Sequence, residues 1–590
     1  MPNIVITGYG IVSAIGNDAE SVLDALRSKR SGIGKMEYLA SVHNELPVGE
    51  VKLSNQEMKE MLGVPQDSVL SRTILLGALA ARQAIAHSGL RLDGEVRRIA
   101  FISGTTVGGM DVTERYFEQM MSDDRALSLF AQHDSGASTV ESAHLAGVTD
   151  AQTTTVSTAC SSALNAIILA SEMLKNDEAD IVVAGGAEAL SLFHLNGFNT
   201  LMILDRERCR PFDASRAGLN LGEGAAYLVL ERERDARERR AEIHAYISGY
   251  ANACDAFHQT ATSDDGEGAY LSMSSALAMA GLQASDIRYV NAHGTGTPNN
   301  DASESQALRR IFGECMPHVS STKSYTGHTT SASGSIEVVI SLLAMKHGFV
   351  PASLGWLNPA DGLIIPSQGA EGVELTHVLC NSFGFGGNDS SLILSESVPE
   401  EGSSRSVASP RVVVAAEYVI DDAEQLKQSR KWISPMEGRR MGKLLKSAIV
   451  SSLEALEQAG LQCPDAIVTA TRYGMLDVSV RFLHDMNRGG EEQLSPTLFM
   501  QSTHNTISST IAIRTHCHGY NITYSHGEES MDWAMRDARR LIQTGRAKTV
   551  LVGLHDEATP EVNDILCRMG REPLPELYSR VLVLKAGETS

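Results

Sequence analysis

Two segments of this chain, 368 residues apart, read as the same piece of structure. Thr523-Tyr-Ser-His-Gly-Glu528-Glu-Ser aligns with Thr155-Val-Ser-Thr-Ala-Cys160-Ser-Ser. Thr549-Val-Leu-Val-Gly-Leu-His-Asp556 aligns with Ile181-Val-Val-Ala-Gly-Gly-Ala-Glu188, and 528 − 160 and 549 − 181 give the same offset with no gap. A constant offset of this kind marks an internal repeat, which has to be settled before any fold is assigned. The chain is therefore read as two α/β modules on one plan, the second shorter than the first.

In the first copy the run Thr153 to Val156 meets a tight Ser-Thr-Ala turn, and a helix of small residues follows from Ser161 towards Lys175. Cys160 falls at a strand-to-helix corner, where unpaired amides and the helix dipole favour an anion and are expected to lower a thiol pKa. A buried structural cysteine is the competing reading, because free Cys packs well in cores. In the second copy the corner position is Glu528, and no second cysteine takes its place.

A length of 590 residues suits roughly three or four domain-sized units. The net charge of −22 argues against a nucleic-acid partner, and an acidic partner would have to find a local basic patch. Eight cysteines without CxxC spacing fit reduced thiols better than a disulfide or zinc framework. The first residues, Met-Pro-Asn-Ile-Val-Ile-Thr-Gly, read as a strand entering a glycine turn and lack a signal peptide's basic and apolar stretches. No apolar run approaches ~18 residues, so the expectation is a cytoplasmic protein without a membrane span.

Strand and helix signals alternate along the chain, which implies a layered α/β unit with helices on both faces of a sheet. Strands are expected at Asn3 to Thr7, Arg98 to Ser103, Ala225 to Leu230, Glu242 to Gly249 and Thr376 to Asn381. The division expected is 1–240, 241–396, a Ser-, Pro- and Glu-rich linker at 397–410, and a second module at 411–590. The loop Gly104 to Gly109 lacks the lysine and the glycine spacing of a nucleotide-binding loop. His516-Cys517-His518 has no further ligands nearby and adjacent side chains diverge, so no metal is expected; no cofactor is called for either.

Three glycine-bracketed segments follow Cys160: Asn291-Ala-His293-Gly-Thr-Gly-Thr-Pro298, Lys323-Ser-Tyr-Thr-Gly-His328-Thr, and Asn381-Ser-Phe-Gly-Phe385-Gly-Gly-Asn388. One histidine at a strand end is commonly structural. Two in such loops beside a corner cysteine make a stronger case, since catalytic groups gather on loops held by rigid strands.

On these motifs, with Arg210-Pro-Phe-Asp213, Gly222-Glu-Gly224-Ala and Asp255-Ala-Phe-His258, residues 1–396 resemble the β-ketoacyl-[acyl carrier protein] synthases of the elongating, Cys-His-His type. The resemblance implies a thiolase-like αβαβα fold with an acyl chain carried as a thioester on Cys160. It implies that His293 and His328 serve decarboxylation of a malonyl carrier, that Lys323 and Glu337 support them, and that Phe385 is the gate, its amide forming an oxyanion hole with that of Cys160. Val107, Phe383, Thr295 and Thr297 would border substrate, and a side chain at 107 smaller than Ile leaves room for long or stiff chains. The sequence departs from the family at Gly386-Gly-Asn388-Asp389, where Gly-Gly-Thr-Asn is usual. It also has Asp67-Ser68-Val69 where a basic helix start helps dock the carrier protein, and Arg206, Arg208 and Arg210 are the expected substitutes.

The second module resembles the N-terminal half of the same fold and lacks counterparts of His293, Lys323 and His328. With Glu528 at the nucleophile position, it resembles the inactive partners called chain-length factors. It is expected either to dock on the first as a pseudo-subunit, Tyr520 to Tyr524 pairing with Thr153 to Val156, or to hang from an ordinary homodimer. The rival functions are a thiolase, with Cys380 as second cysteine, and a non-catalytic scaffold.

Overall fold

The computed structural model describes residues 2–92, 97–398 and 409–587. Most of the segment expected as a linker (397–410) falls on 399–408, outside the described residues. Within them, fifteen strands join in one mixed sheet.

The sheet is two copies of one arrangement meeting at a junction. Outward from the junction the first module places Gln152–Val156, Ile99–Gly104, Ile181–Glu188, Gly224–Arg232 and Ile4–Ser13. The second places Tyr520–Tyr524, Ala466–Ala470, Thr549–Glu557, Leu577–Ala586 and Val412–Ile420 in matching order. The repeat register is kept: Tyr520–Tyr524, the helix Ser530–Gln543 and Thr549–Glu557 begin 368 residues after Gln152–Val156, the helix Ser162–Lys175 and Ile181–Glu188 (520 − 152, 530 − 162 and 549 − 181). In the first module the sheet continues past Ile4–Ser13 into Ala245–Cys254, Asn388–Ser395, His377–Gly384, Tyr289–Asn291 and His318–Ser320. Ile99–Gly104 runs parallel to both neighbours, and its side chains are buried on both faces, as central parallel strands require.

Several segments run longer than their sequence signals. The strand expected at Glu242 to Gly249 is Ala245–Cys254, which pairs with Asn388–Ser395 from Tyr246 to Cys254. The strand expected to end at Asn381 continues to Gly384, opposite Asn388, so the segment read as a loop is a tight hairpin. Gly386 and Gly387, at φ +85° and +76°, make the turn that an L side chain would resist.

The junction pairs less strand than expected. Tyr524 faces Val156 antiparallel, the Ser157 amide donates to the Thr523 carbonyl (2.9 Å), and the Ser525 amide donates to that of Thr155 (3.1 Å). Beyond this the second module reaches the strand Ala245–Cys254, where the Asn252 side chain brackets the backbone of Asn521 at 2.8 and 3.0 Å. Charged contacts flank the strands: Arg540 on Glu178 (2.6 Å) and Arg568 on Asp124 (2.7 Å). His516-Cys517-His518 also lies here, after the helix Thr506–Thr515, and His518 Nδ1 donates to the Cys254 carbonyl (3.0 Å). No helix among the described residues is long and apolar enough to cross a membrane.

Candidate active site

Cys160 stands where Gln152–Val156 ends and the helix Ser162–Lys175 begins. Ala159 before it takes φ +52°, a left-handed setting that is costly for a residue with a Cβ and is sustained only by its surroundings. Those surroundings are polar. Ser162 Oγ accepts from the Thr158 amide (2.9 Å), Asn165 donates to Thr158 Oγ1 (2.9 Å), and Ser382 donates to the Cys160 carbonyl (2.9 Å).

The three glycine-bracketed segments converge on this corner. His328 Nε2 lies 3.1 Å from Cys160 Sγ, and its Nδ1 lies 3.0 Å from Ser333 Oγ. The His293 ring stands at 82° to that of His328, with centroids 5.3 Å apart. Glu304 accepts from the amides of His293 (2.9 Å) and Gly294 (2.7 Å) and so anchors the loop that carries the ring. Lys323 Nζ forms a 2.6 Å buried ion pair with Glu337. Glu188 takes bonds from Thr105, Thr106 and Ser331 beneath the corner.

The electrostatics differ from the sequence expectation at one point. Burial pushes the Cys160 thiol up to about 11, against the lowering pull of Lys323 and of the Phe385 and Cys160 backbone amides, which hydrogen-bond the sulfur. The corner supplies the expected donors, but the Cys160 side chain is buried and desolvation of the thiolate outweighs them. Burial and the Lys323 charge also hold His293 and His328 well below the usual imidazole range, so both rings are neutral. Burial lifts Glu337 to about 7 while Lys323 pulls it back.

A cleft of about 450 Å³ leads from the surface to Cys160, His293 and His328 and is lined by Thr295, Thr297, Phe383 and Phe385. Val107, also expected at the pocket, lies behind Phe385 in a space of about 10 Å³. Phe385 stacks on Phe198 (5.6 Å) and divides the two. Phe499, Ser502 and Thr503 of the second module line that inner space. Arg206 and Arg208 are exposed; Arg210 is held by Asp205 and Glu207 and is not a free charge. Cys380 is buried on Ser341, its thiol pushed up to about 12, and it does not line the cleft, which removes the second cysteine that a thiolase reading needs.

Sequence reasoning missed Ser333, Glu304 and Glu188, which act through other residues. It also missed Phe198 and Phe499, which give no signal before the modules are brought together. Glu188 was within reach, since the repeat aligns it with Asp556.

At the second corner Gly527 takes φ +53° and Glu528 turns into solvent, paired with Arg472 (3.1 Å). Thr471 and the Arg472 amide donate to Asp556 (3.1 and 2.8 Å) as Thr105 and Thr106 donate to Glu188, and the Arg472 guanidinium adds a second bond to Asp556 (2.8 Å).

The comparisons agree with this geometry. Residues 1–236 match the family model described as beta-ketoacyl synthase, N-terminal domain, and residues 244–356 match beta-ketoacyl synthase, C-terminal domain. Residues 415–585 match a further model of the beta-ketoacyl synthase N-terminal domain. The 3-oxoacyl-[acyl-carrier-protein] synthase 2 of Vibrio cholerae is 33% identical over 408 residues, covering 66% of this chain and 98% of the relative. Among solved structures, a ketosynthase (ApeO) in complex with its chain length factor (ApeC) from Xenorhabdus doucetiae is 29% identical, with TM-score 0.56 over 68% of this chain and 98% of that one. The PfaC keto synthase–chain length factor shares the fold over 99% of this chain and 78% of its own, with TM-score 0.79 at 18% identity. The chain belongs to the β-ketoacyl synthase family. Its second module matches another N-terminal domain of that family.

Proposed function

We propose that the protein is a decarboxylating condensing enzyme that extends an acyl chain held on Cys160, with the second module as a non-catalytic partner domain. The observation that carries the reading is the 3.1 Å approach of His328 Nε2 to Cys160 Sγ, with His293 in the same cleft.

In the first half-reaction the Cys160 sulfur attacks the thioester of an acyl carrier. His328 Nε2 takes the thiol proton, the carbonyl oxygen develops charge against the Phe385 and Cys160 amides, and the carrier thiol leaves with the proton. In the second, a malonyl thioester enters the cleft and its carboxylate leaves as CO2, the bonding electrons passing into an enolate that accepts hydrogen bonds from the two Nε2–H groups. The enolate carbon attacks the acyl thioester, the C–S bond to Cys160 breaks, and the released thiolate takes a proton from water to restore the thiol. His328 has to accept a proton in one step and donate in the other. The Ser333 hydroxyl suits this, because it can accept from Nδ1–H or donate to bare Nδ1 and so supports either tautomer. Lys323, paired with Glu337, places a cation near both rings and adds to the burial that keeps them neutral. Thr295, Thr297 and Phe383 would line the path of the carrier's arm, and Arg206 and Arg208 are the exposed charges offered to an acidic carrier.

Beyond Phe385 the acyl chain would enter the space bordered by Val107, Phe198 and Phe499, so a second-module side chain would limit its length. The names of the relatives, synthases acting on acyl carrier protein and ketosynthases with chain length factors, support this reading. A specialised polyene or polyketide pathway suits a fused partner domain better than housekeeping fatty-acid synthesis. The test is intact-protein mass spectrometry after incubation with acyl carriers of graded length. The wild type should gain an acyl mass that Cys160→Ala does not, and no adduct with any carrier would overturn the assignment.

A further inference from the structure

The turn that carries Phe385 is held from across the junction. Asn505 of the second module donates from Nδ2 to the Phe385 carbonyl (2.8 Å) and to Asn388 Oδ1 (2.8 Å), using both of its protons. Asn388 Nδ2 donates in turn to the carbonyl (3.2 Å) and Oδ1 (3.1 Å) of Asn521, also in the second module. Asn388 stands where the family usually has threonine, so this chain's departure from the family is matched by partners of its own. Asn505 is buried and begins the helix Thr506–Thr515, and the turn lies directly on that helix: a Cβ at Gly386 would come 2.0 Å from Ser509 Oγ.

The repeat supplies a comparison. Asp134 begins the helix Ser135–Leu145, ahead of the junction strand Gln152–Val156, as Asn505 begins the helix ahead of Tyr520–Tyr524. Asp134 likewise reaches across the junction, to the Gly527 amide. The corner it meets carries Glu528 in place of a cysteine. Asn505 instead meets the turn over Cys160, where an uncharged double donor satisfies a carbonyl and an amide oxygen at once.

We propose that Asn505 is a positioning residue for the reaction centre of the other module, holding the Phe385 turn so that the Phe385 amide stays aimed at Cys160. The proposal rests on the reading of Cys160 as nucleophile given above. Docking of the second module is then part of what sets the reaction geometry, beyond bounding the acyl space.

The test compares wild type, Asn505→Ala, Asn505→Asp and, as a junction control away from the turn, Arg568→Ala. Two rates are read on each full-length protein: alkylation of Cys160 by iodoacetamide, and acyl transfer from an acyl carrier. Loosening the turn should speed alkylation severalfold, because Phe385 no longer covers the sulfur. It should slow acyl transfer by about tenfold, a part of what losing an oxyanion donor outright costs. Both Asn505 variants should show this pattern at a melting temperature close to wild type, while Arg568→Ala leaves both rates alone. Alkylation and transfer within about twofold of wild type in the Asn505 variants, too small a change for a lost positioning contact, would overturn the proposal. If Asn505→Ala does not fold, Asn388→Ala removes the other end of the same bond and is read in the same way. Should wild type accept no acyl group at all, the nucleophile reading fails on its own, and the alkylation rates still report whether Asn505 holds the turn.

Discussion

The corner before Cys160 and the corner before Glu528 share a backbone and its serine caps, Ser162 and Ser530, and differ in what covers them. Ala159 and Gly527 take φ +52° and +53° at matching positions of the repeat. Over the first corner the C-terminal half of the synthase module folds two histidines, a lysine–glutamate pair and the Phe385 turn. Over the second no such half lies among the described residues, and Glu528 is 83% exposed. The left-handed corner alone therefore makes no active site; burial and the converging loops do. The helices that follow record the same difference. Ser162–Lys175 is buried on all sides through Leu174 because the helix Ser333–His347 covers it, and a Cβ at Gly334 would touch Leu164. Ser530–Gln543, uncovered, turns Asp532, Arg536 and Arg539 to solvent.

The comparison can be broken most directly by titrating the two corners. With burial holding the Cys160 thiol near 11, its reactive thiolate is a small fraction at neutral pH that grows as pH rises. Alkylation of Cys160 should therefore climb about tenfold per pH unit between about pH 7 and 9, whereas a thiol with a lowered pKa would level off near neutrality. A plateau by pH 8, read by peptide mass spectrometry, would show that the donors at the corner outweigh its burial.

Ion pairs give the next largest contrast. Lys323→Ala strands Glu337 in the core and should cost about 3–5 kcal/mol in denaturant unfolding, the usual penalty for breaking a buried pair. Glu528→Gln, in an exposed pair with Arg472, should leave both the unfolding midpoint and acyl transfer unchanged. A matching loss in the two variants would mean that the second corner is as closed as the first.

The smallest effect is in the backbone. Gly527→Ala places a Cβ in a left-handed setting and should destabilise by about 1–2 kcal/mol, the strain that Ala159 already carries in the first module. A neutral Gly527→Ala would show that the second corner relaxes freely, and hence that nothing around it fixes the turn.

Much of this was legible in the sequence, for definable reasons. The repeat showed at the corner and at the strand after it, because those segments are constrained locally by turn sterics and by burial on both faces of a sheet. Cys160, His293, His328, Lys323 and Phe385 showed because glycine-bracketed loops place them at fixed points. The amphipathic pattern of Ser530–Gln543 against the mostly small and apolar Ser162–Lys175 carries the signal that one helix is covered and the other is not. The thiol's direction of shift was misread because a corner's donors are local, whereas burial depends on residues such as Phe385 and His328 far along the chain. Asn505 and Phe499 gave no signal at all, since their roles exist only once the two modules meet.

The central claim is that the two modules are one working unit, joined strand to strand beside Cys160. Hydrogen exchange tests it most directly at two amides, Ser157, which donates to Thr523, and Ser525, which donates to Thr155. Both should exchange as slowly as the central strand Ile181–Glu188 in the full-length protein. Exchange of Ser157 and Ser525 at the rate of open loop amides would contradict the account and leave the second module as an appendage.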